Sequence, residues 1–212
     1  MDKPCLAAAL DYAGFGWPVL PLHTPTTDGG CSCGKTGCSS PGKHPLTRNG
    51  LKDASTDEDA IRRWWEQWPR ANVGVVTGSA SGVIVLDVDG PEGMQTLKAL
   101  PSLPDTCRTS TGAGAHYWFR HPGSSTVPTR TKLQPGLDLK ADGGYVVAPP
   151  SVHRSGSGYC WRRGPDGVTL ADPPPWLLAL ICAPATNGRT APPRASEKLI
   201  EGNRNETALP PG

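Results

Sequence analysis

The chain has 212 residues, with 21 Lys and Arg against 19 Asp and Glu, so its formal net charge at neutral pH is +2. This balance excludes a strongly charged tail protein, and a hydrophobic content of 36% with seven Trp excludes wholesale disorder. Gly (26) and Pro (24) together make up almost a quarter of the residues, which excludes long helical bundles and predicts short strands and turns.

The sequence carries no membrane or export signal that we can identify. The longest apolar run, 176–183, has eight residues, whereas a membrane span needs roughly 20. The first residues lack a basic segment leading into an apolar core. We therefore expect a cytoplasmic protein without a membrane partner.

The first third of the chain predicts a helix, a strand, a long loop and a second helix. Apolar residues at helical spacing predict a helix over 5–14, and 17–22 is typical of a strand. Thr56 is the predicted N-cap of a helix that includes 60–68 and ends before Pro69. One face of this helix is aromatic and is interpreted as core. That face consists of Ile61, Trp64, Trp65 and Trp68.

The loop between these elements, from residue 23 to about 48, contains a C-x-C-x4-C-x5-H pattern, and its four residues are Cys31, Cys33, Cys38 and His44. In a cytoplasmic chain, three clustered cysteines out of an odd total favour a metal site over disulfides. Three thiolates and an imidazole form a tetrahedral Zn²⁺ set, and a loop this long is hard to order without a metal. We predict one structural zinc ion within 29–45.

Two alternatives remain for this loop. The thiols can be free surface groups, or His23 can replace His44 as the fourth ligand. Basic residues around the loop are candidate contacts to nucleic acid. They are Lys35, Lys43 and Arg48.

The remainder of the chain predicts three hairpins and two short helices. The hairpins join 72–77 to 83–88, 106–110 to 115–120, and 136–140 to 144–148. A further strand is predicted at 159–162, and helices at 92–100 and 175–182. The mixture of helices and hairpins predicts an α+β fold with mainly antiparallel sheet.

The apolar segment 83–90 ends in two carboxylates, Asp87 and Asp89. Alternate residues of a strand share a face, so these side chains are expected to project together, about 6–7 Å apart. Asp is disfavoured in strands, and neighbouring like charges repel, so we predict that oxygen-preferring Mg²⁺ or Mn²⁺ binds there. Asp138 alternates with two leucines in 136–140 and offers a third carboxylate. Three acids from two strands can hold two cations for in-line attack on phosphorus; the alternative is a pair of solvated acids beside a turn.

A turn of small residues, 111–114, lies between the two acidic segments. Its backbone N–H groups and the hydroxyls of Ser110 and Thr111 are candidate anion donors. His116 follows directly and becomes a candidate phosphate ligand, although a lone strand histidine is more often structural. The region 108–163 has eight basic residues against two acidic ones. That excess suits a polyphosphate or nucleic-acid backbone, although scattered surface charge explains it as well.

The order of these motifs resembles that of the archaeo-eukaryotic primase superfamily. A strand with D-x-D stands here as Asp87-Val88-Asp89, an S-x-H-like motif as Gly114-Ala115-His116, and a later hydrophobic-Asp strand as Leu137-Asp138. The closer resemblance is to the bifunctional DNA primase/polymerase N-terminal domain of phage and plasmid replication proteins, and it covers about residues 5–165. Segments similar to that domain stand at 17–22, 42–46, 54–57, 64–65, 68–74 and 144–151. Ala115 departs from the Gly or polar residue often found in the second motif.

The resemblance implies a prim-pol fold, in which an RRM-like antiparallel sheet is cupped by a second α/β lobe. It implies a nucleotidyltransferase that copies a DNA template from a primer, using NTPs or dNTPs. Two Mg²⁺ or Mn²⁺ ions would be held by Asp87, Asp89 and Asp138. The nucleotide would be bound by Ser110, Thr111, Gly112, His116 and Lys140.

The resemblance also suggests a domain organisation. Residues 1–185 are interpreted as the catalytic domain, and 186–212 as a flexible tail that begins a helical domain. The segment 199–207 resembles the start of the domain that precedes a helicase in such polypeptides. We therefore expect a helicase region downstream and, for a phage or plasmid gene, a bacterial host cytoplasm. The alternative is an exposed polar tail without a partner.

Two other functions compete with this interpretation. Residues 85–90 imitate the nucleophile strand of a haloacid-dehalogenase-like phosphatase, but that fold needs a parallel sheet and a later acidic pair, and Pro91 departs from its pattern. A zinc-stabilised nucleic-acid-binding module without catalysis would explain the cysteines and the basic region. It would leave the three strand carboxylates unexplained.

Overall fold

The structure, a computed structural model, describes residues 4–123 and 125–183. Four α-helices are present in these residues: α1 (Pro4–Gly14), α2 (Glu58–Gln67), α3 (Gly90–Ala99) and α4 (Pro175–Cys182). The strands of the same residues are β1 (Val19–Leu22), β2 (Asn72–Val76), β3 (Val83–Val88), β4 (Arg108–Ser110), β5 (Ala115–Arg120), β6 (Arg130–Gln134), β7 (Leu137–Lys140), β8 (Tyr145–Ala148) and β9 (Cys160–Arg163). A short 3₁₀ helix spans Gly50–Asp53. The predicted α+β class is confirmed, and the expected tail over 186–212 lies outside the described residues.

The strands form two sheets. The smaller sheet has the order β1-β2-β8, and the larger has the order β6-β7-β3-β5-β4-β9. Every pair of neighbouring strands in both sheets is antiparallel. This pairing excludes the parallel sheet that the phosphatase alternative requires. Among the described residues, no helix combines the length and the apolar character that a membrane crossing requires.

Only one of the three predicted hairpins is present, the one between β4 and β5. The other two are wrong, because β2 and β8 pair with each other in the smaller sheet, while β3 and β7 pair in the larger. Two of the three crossings between the sheets, from β2 to β3 and from β7 to β8, lie at the same place. There Thr77 donates from its backbone N–H to Gly144 O (3.0 Å) and from Oγ1 to Ala141 O (2.8 Å). The β2–β3 and β7–β8 connections are therefore hydrogen-bonded to each other, and neither forms a hairpin.

Helix α2 begins one residue later than predicted. Its N-cap is Asp57, whose carboxylate accepts a hydrogen bond from the backbone N–H of Ala60 at 2.7 Å, and not Thr56. The predicted aromatic face is confirmed as core. Ile61 and Trp65 are fully buried, and the other two members of that face, Trp64 and Trp68, pack against the same cluster.

Strand β3 is buried on both faces at the centre of the larger sheet. Val83 and Val85 face a core shared with α1, α2 and the smaller sheet, whereas Ile84, Leu86 and Val88 face a second core that includes residues of α3 and α4. A strand covered on both sides is continuously apolar, as this one is. The next residue in the first set is Asp87, so its side chain lies on the face that looks toward the smaller sheet.

Candidate functional site

The pairing register of the larger sheet places three functional groups in one row. Asp87 of β3 lies opposite His116 of β5 on one side and opposite Asp138 of β7 on the other. Because directly opposed residues of antiparallel strands share a face, all three side chains point to the same side. The row is therefore a consequence of the fold, formed from residues that are distant in the sequence.

Asp89 joins this row from just beyond the strand. Strand β3 ends at Val88, and Asp89 is the N-cap of α3, but its backbone is still extended (φ −98°, ψ 120°), so the alternation continues. The Asp89 backbone N–H donates to Gly136 O at 2.9 Å, which ties it to the start of β7. Its carboxylate forms no capping hydrogen bond. One oxygen from each of Asp87, Asp89 and Asp138 lies within 4.8 Å of the others, so the cluster can hold metal ions.

The carboxylates of Asp87 and Asp138 are surrounded by donors. Lys140 Nζ lies 2.8 Å from Asp138 Oδ2 and 3.9 Å from Asp87 Oδ2. The other oxygen of Asp138 accepts a 2.7 Å hydrogen bond from the backbone N–H of Lys132, a residue held at a positive φ of 56°. His116 Nε2 lies 3.3 Å from Asp87 Oδ1. These donors partly offset the repulsion between the carboxylates.

The two carboxylates of the D-x-D motif have opposite electrostatic environments. Burial would raise the pKa of Asp87, but the hydrogen bond and charge of His116, with the charges of Lys140 and Lys43, hold that pKa below its ordinary value. Burial and the neighbouring charge of Asp87 raise the pKa of Asp89. A positive ion between them would relieve the second effect directly.

His116 is buried, with 5% of its surface exposed. Its Nε2 is turned toward Asp87, and its Nδ1 is a buried atom without a hydrogen-bond partner among the described residues. Leaving a buried polar atom unpaired costs free energy, so such an atom is a sign of a ligand that completes it. An imidazolium would donate from both nitrogens, to Asp87 and to an anion.

The turn 111–114 has a different role from the expected set of open donors. Its hydrogen-bonding groups act within the turn, since Thr111 N–H donates to Gly114 O (3.0 Å) and Gly114 N–H donates to Thr111 Oγ1 (2.9 Å). Ser110 Oγ donates to Cys160 O at 3.3 Å. A Cβ on Gly114 would lie 1.8 Å from Val88 O, so this glycine allows the turn to pack against the end of β3.

Sequence reasoning missed three side chains near the site. A Cβ on Gly112 would lie 1.9 Å from His153 Nδ1, so the His153 ring packs against the turn. The ring centroid of Tyr159 is 5.9 Å from that of His153 and 6.0 Å from that of His116. The charge of Lys43 favours the ionised forms of both carboxylates of the D-x-D motif. For Lys43 the available signal is the segment 42–46, which resembles the family; from it the sequence analysis predicted a zinc ligand at His44 and a nucleic-acid contact at Lys43, but no place beside the carboxylates.

The cysteine loop forms a second cluster. One ligand atom from each of Cys31, Cys33, Cys38 and His44 lies within 4.8 Å of the others, so the set can hold zinc. His44 Nε2 is 3.3 Å from Cys31 Sγ and 3.5 Å from Cys38 Sγ, whereas His23 Nδ1 is engaged with Ser32 Oγ at 2.8 Å. Burial and the charge of Lys35 lower the pKa of His44, which favours the neutral, metal-binding imidazole. All seven cysteines are free thiols, which excludes a disulfide framework.

The fold and the site together define an α+β protein that presents a carboxylate cluster on one face of an antiparallel sheet and a Cys₃His cluster on a loop. The model of the family described as bifunctional DNA primase/polymerase, N-terminal, matches residues 9–176. The chain belongs to this family, which confirms the resemblance deduced from its motifs. No curated protein matches the chain. Membership supports a DNA primase/polymerase-type function, with nucleic acid and nucleotides as substrates.

Proposed function

We propose that this chain catalyses template-directed nucleotidyl transfer from nucleoside triphosphates, with two divalent cations held by Asp87, Asp89 and Asp138. The observation that carries the proposal is the convergence of the three carboxylates, with ligand oxygens within 4.8 Å of one another, on the face of the sheet that also holds His116. Family membership supports the reaction class. The donor set consists of oxygens only, which suits Mg²⁺ or Mn²⁺.

When bound, the cations supply Lewis acidity, which activates the 3′-hydroxyl of the primer and neutralises the triphosphate. The residues of the chain have simpler tasks. The lowered pKa of Asp87 keeps its carboxylate ionised and ready to ligate at neutral pH. Lys140, 2.8 Å from Asp138, holds that carboxylate in the row and places a positive charge beside the phosphates.

His116 is the proposed phosphate ligand on the other side of Asp87. Its Nε2 faces the carboxylate, so its unpartnered Nδ1 is free to donate to a phosphate oxygen. Ser110, Thr111 and Gly112 act through the turn. The hydrogen bonds of Ser110 and Thr111 hold the turn in place beside His116, and the Gly112 N–H is the backbone group that we propose as a direct phosphate donor.

The wider context belongs to the same proposal. Family membership supports a DNA template and primer as partners, whereas replication of a phage or plasmid genome is supported by the sequence resemblance alone. A single structural Zn²⁺ in the Cys₃His cluster is supported by the thiolate and imidazole donor set. A helical or helicase region downstream of 186–212 is supported by the sequence resemblance alone.

The test is extension of a labelled primer on a DNA template with Mn²⁺ and the four deoxynucleotides. We expect the wild-type chain to extend the primer, and Asp87→Asn or Asp138→Asn to lower incorporation by at least about 100-fold while the variants still fold and unfold cooperatively. Asp172→Asn is the matched control, because Asp172 is a surface carboxylate whose side chain is 76% exposed. Full extension by either site variant would contradict the proposal. Binding of DNA without extension by the wild type would favour the non-catalytic module instead.

A further inference from the structure

The last part of the cysteine loop is fixed to the body of the protein through three consecutive carbonyl groups. Gly42 O accepts from Asn72 Nδ2 (3.0 Å), Lys43 O from the Tyr145 hydroxyl (2.8 Å), and His44 O from the backbone N–H of His23 (2.9 Å). Gly42 is buried at a φ of 74°, where a Cβ would meet Pro25 Cδ at 2.6 Å. The backbone at Lys43 is therefore held in place while its side chain is exposed.

Lys43 is linked to His153 through the side chain of Asn72, which donates to Gly42 O (3.0 Å) and to Val152 O (2.9 Å) and accepts from the backbone N–H of Val152 (2.9 Å). The positive charge of Lys43 favours the ionised forms of Asp87 and Asp89 and disfavours protonation of His153. Lys43 forms no ion pair with any carboxylate in the part of the chain that the structure describes. Another lysine of the same loop, Lys35, acts instead on His44 and His23. Lys43 thus combines a backbone held in place with an ammonium group that has no carboxylate partner among the described residues.

His153 offers a hydrogen-bond donor in the same place. Its Nδ1 accepts a hydrogen bond from the backbone N–H of Ser155 at 3.2 Å, so the proton of the neutral ring is on Nε2. The ring is held between Gly112 of the turn and the edge of Tyr159. Burial and the charges of Lys43 and Arg154 lower the pKa of His153, which keeps the ring neutral with one N–H to donate.

We propose that Lys43 and His153 form a second phosphate-binding arm, which contacts the triphosphate of the incoming nucleotide and through which the cysteine loop sets nucleotide affinity. This inference rests on the proposed function. The arm lies on the β5 side of the carboxylate row, because the ring of His153 contacts Tyr159, whose ring in turn contacts His116 of β5. Lys140 lies on the opposite side, in β7. A triphosphate bound to cations at Asp87 and Asp89 would come within reach of Lys140 on one side and of the Lys43–His153 arm on the other. A nucleic-acid backbone would instead call for several cations spaced along a groove.

The test separates nucleotide affinity from turnover. In primer extension with Mn²⁺, Lys43→Ala raises the KM for deoxynucleotides by about 10-fold or more and leaves kcat within about threefold, as expected for the loss of a charged hydrogen bond to bound substrate. Lys43→Arg retains most of the affinity. Titration calorimetry with a non-hydrolysable deoxynucleoside triphosphate and Mn²⁺ gives the same ranking without any catalysis. The control is Lys52→Ala, an exposed lysine of the 3₁₀ helix, with unchanged KM.

Three further measurements complete the test. Lys43→Ala keeps one zinc per chain by elemental analysis, so a changed KM reflects the side chain and not the loop. His153→Ala raises KM and His153→Gln, which keeps an N–H donor, restores it. Cys38→Ser raises KM, and adding Lys43→Ala to it raises KM little further, because both changes remove the same contact.

Unchanged nucleotide affinity in Lys43→Ala overturns the inference, and weaker binding of the primer–template alone in that variant assigns Lys43 to DNA instead. A wild-type chain that binds the triphosphate through Lys43 but never extends a primer would contradict the proposed function and leave the arm in place. The two failures are therefore distinguishable.

Discussion

The two candidate metal clusters of this protein are assembled in opposite ways. Cys31, Cys33, Cys38 and His44 come from a single loop and supply soft sulfur and nitrogen donors. Asp87, Asp89 and Asp138 come from two strands and the N-cap of a helix, and supply oxygen alone. The first set is close in sequence, whereas the second is brought together by the pairing of β3 with β7.

The support around each cluster differs accordingly. Strand β3 is hydrogen-bonded to neighbours on both sides, so the carboxylates stand in place before any ion arrives, and their repulsion is a cost to the fold. The last part of the thiol loop is fixed to the body of the protein, but the segment that carries the cysteines is held by isolated turns, such as Gly34 N–H to Cys31 O and Lys43 N–H to Ser40 O. A bound ion would therefore order the thiol loop, whereas at the carboxylates it would only reduce the repulsion between their charges.

Removing the expected zinc ion should cause the largest change in stability, and so tests the difference between the two clusters most strongly. Cys33→Ser with Cys38→Ser, or treatment with a chelator, removes half of the ligand set or the ion itself. We expect the free energy of unfolding to fall by at least about 3 kcal/mol, because metal binding free energy contributes directly to the folding of such loops. Urea denaturation measures the loss, and elemental analysis counts the zinc.

The control for that experiment is Cys160→Ser, since Cys160 is an exposed thiol outside the cluster. It should retain one zinc per chain and wild-type stability. A wild-type chain that purifies free of metal and yet is fully folded would show that the loop needs no ion.

Replacing Asp142, a carboxylate surrounded by hydrogen-bond donors, should give the next largest change in stability. Asp142 joins the two crossing connections, accepting hydrogen bonds from the backbone N–H and the hydroxyl of Ser79 and from the backbone N–H of Val127, each at 2.7 Å. Burial alone would raise the pKa of Asp142, but these bonds and His121 bring it down to about 2. Asp142→Asn should therefore lower the free energy of unfolding by about 2 kcal/mol at neutral pH.

The sign of its pH dependence follows from the lowered pKa. The stabilisation by Asp142 is fully present above the ordinary carboxyl pKa of 3.8 and is lost as the pH falls toward about 2. Wild type and Asp142→Asn should thus differ in urea denaturation at pH 7 and converge in strong acid. A constant difference at every pH would assign the effect to shape and not to charge.

The sequence predicted the local cluster more completely than the distributed one. The spacing of Cys31, Cys33, Cys38 and His44 is visible within one segment, although only the structure distinguishes His44 from His23 as the residue facing the thiols. For the carboxylates, alternation placed Asp87 and Asp89 on one face, but the approach of Asp138 depends on a strand pairing that no local pattern encodes. Asp138 was a candidate from its alternation with two leucines, and the family resemblance implied that it joins the other two carboxylates.

The wrong hairpin of 72–77 with 83–88 has the same cause. Residues 73–76 and 83–86 are buried on both faces, so neither segment alternates between polar and apolar positions. Without alternation, the sequence does not specify which strand is the partner, and a short Gly-rich connection predicts a hairpin by default. Strand β6 was missed because it is mostly polar and none of its residues is fully buried, and its register against β7 is irregular. The approach of Lys43 to the site depends on tertiary hydrogen bonds from Asn72 and Tyr145, which are distant in sequence.

The smallest expected change in stability is that of Asp89→Asn. It is the most informative about the carboxylate cluster, because this variant should stabilise the protein whereas the others destabilise it. Burial and the charge of Asp87 raise the pKa of Asp89, so its ionised form destabilises the metal-free fold. Asp89→Asn should raise the free energy of unfolding at neutral pH by less than about 1 kcal/mol, since Asp89 is exposed and its charge is screened by solvent. The gain should disappear as the pH falls below the ordinary carboxyl pKa of 3.8, where Asp89 is protonated in both states. Thermal unfolding with and without Mn²⁺ provides the decisive measurement: Mn²⁺ should stabilise the wild type more than the variant and reverse their order. If Asp89→Asn instead lowers stability without metal, the carboxylate cluster is held together by its hydrogen bonds and is no more strained than the thiol loop.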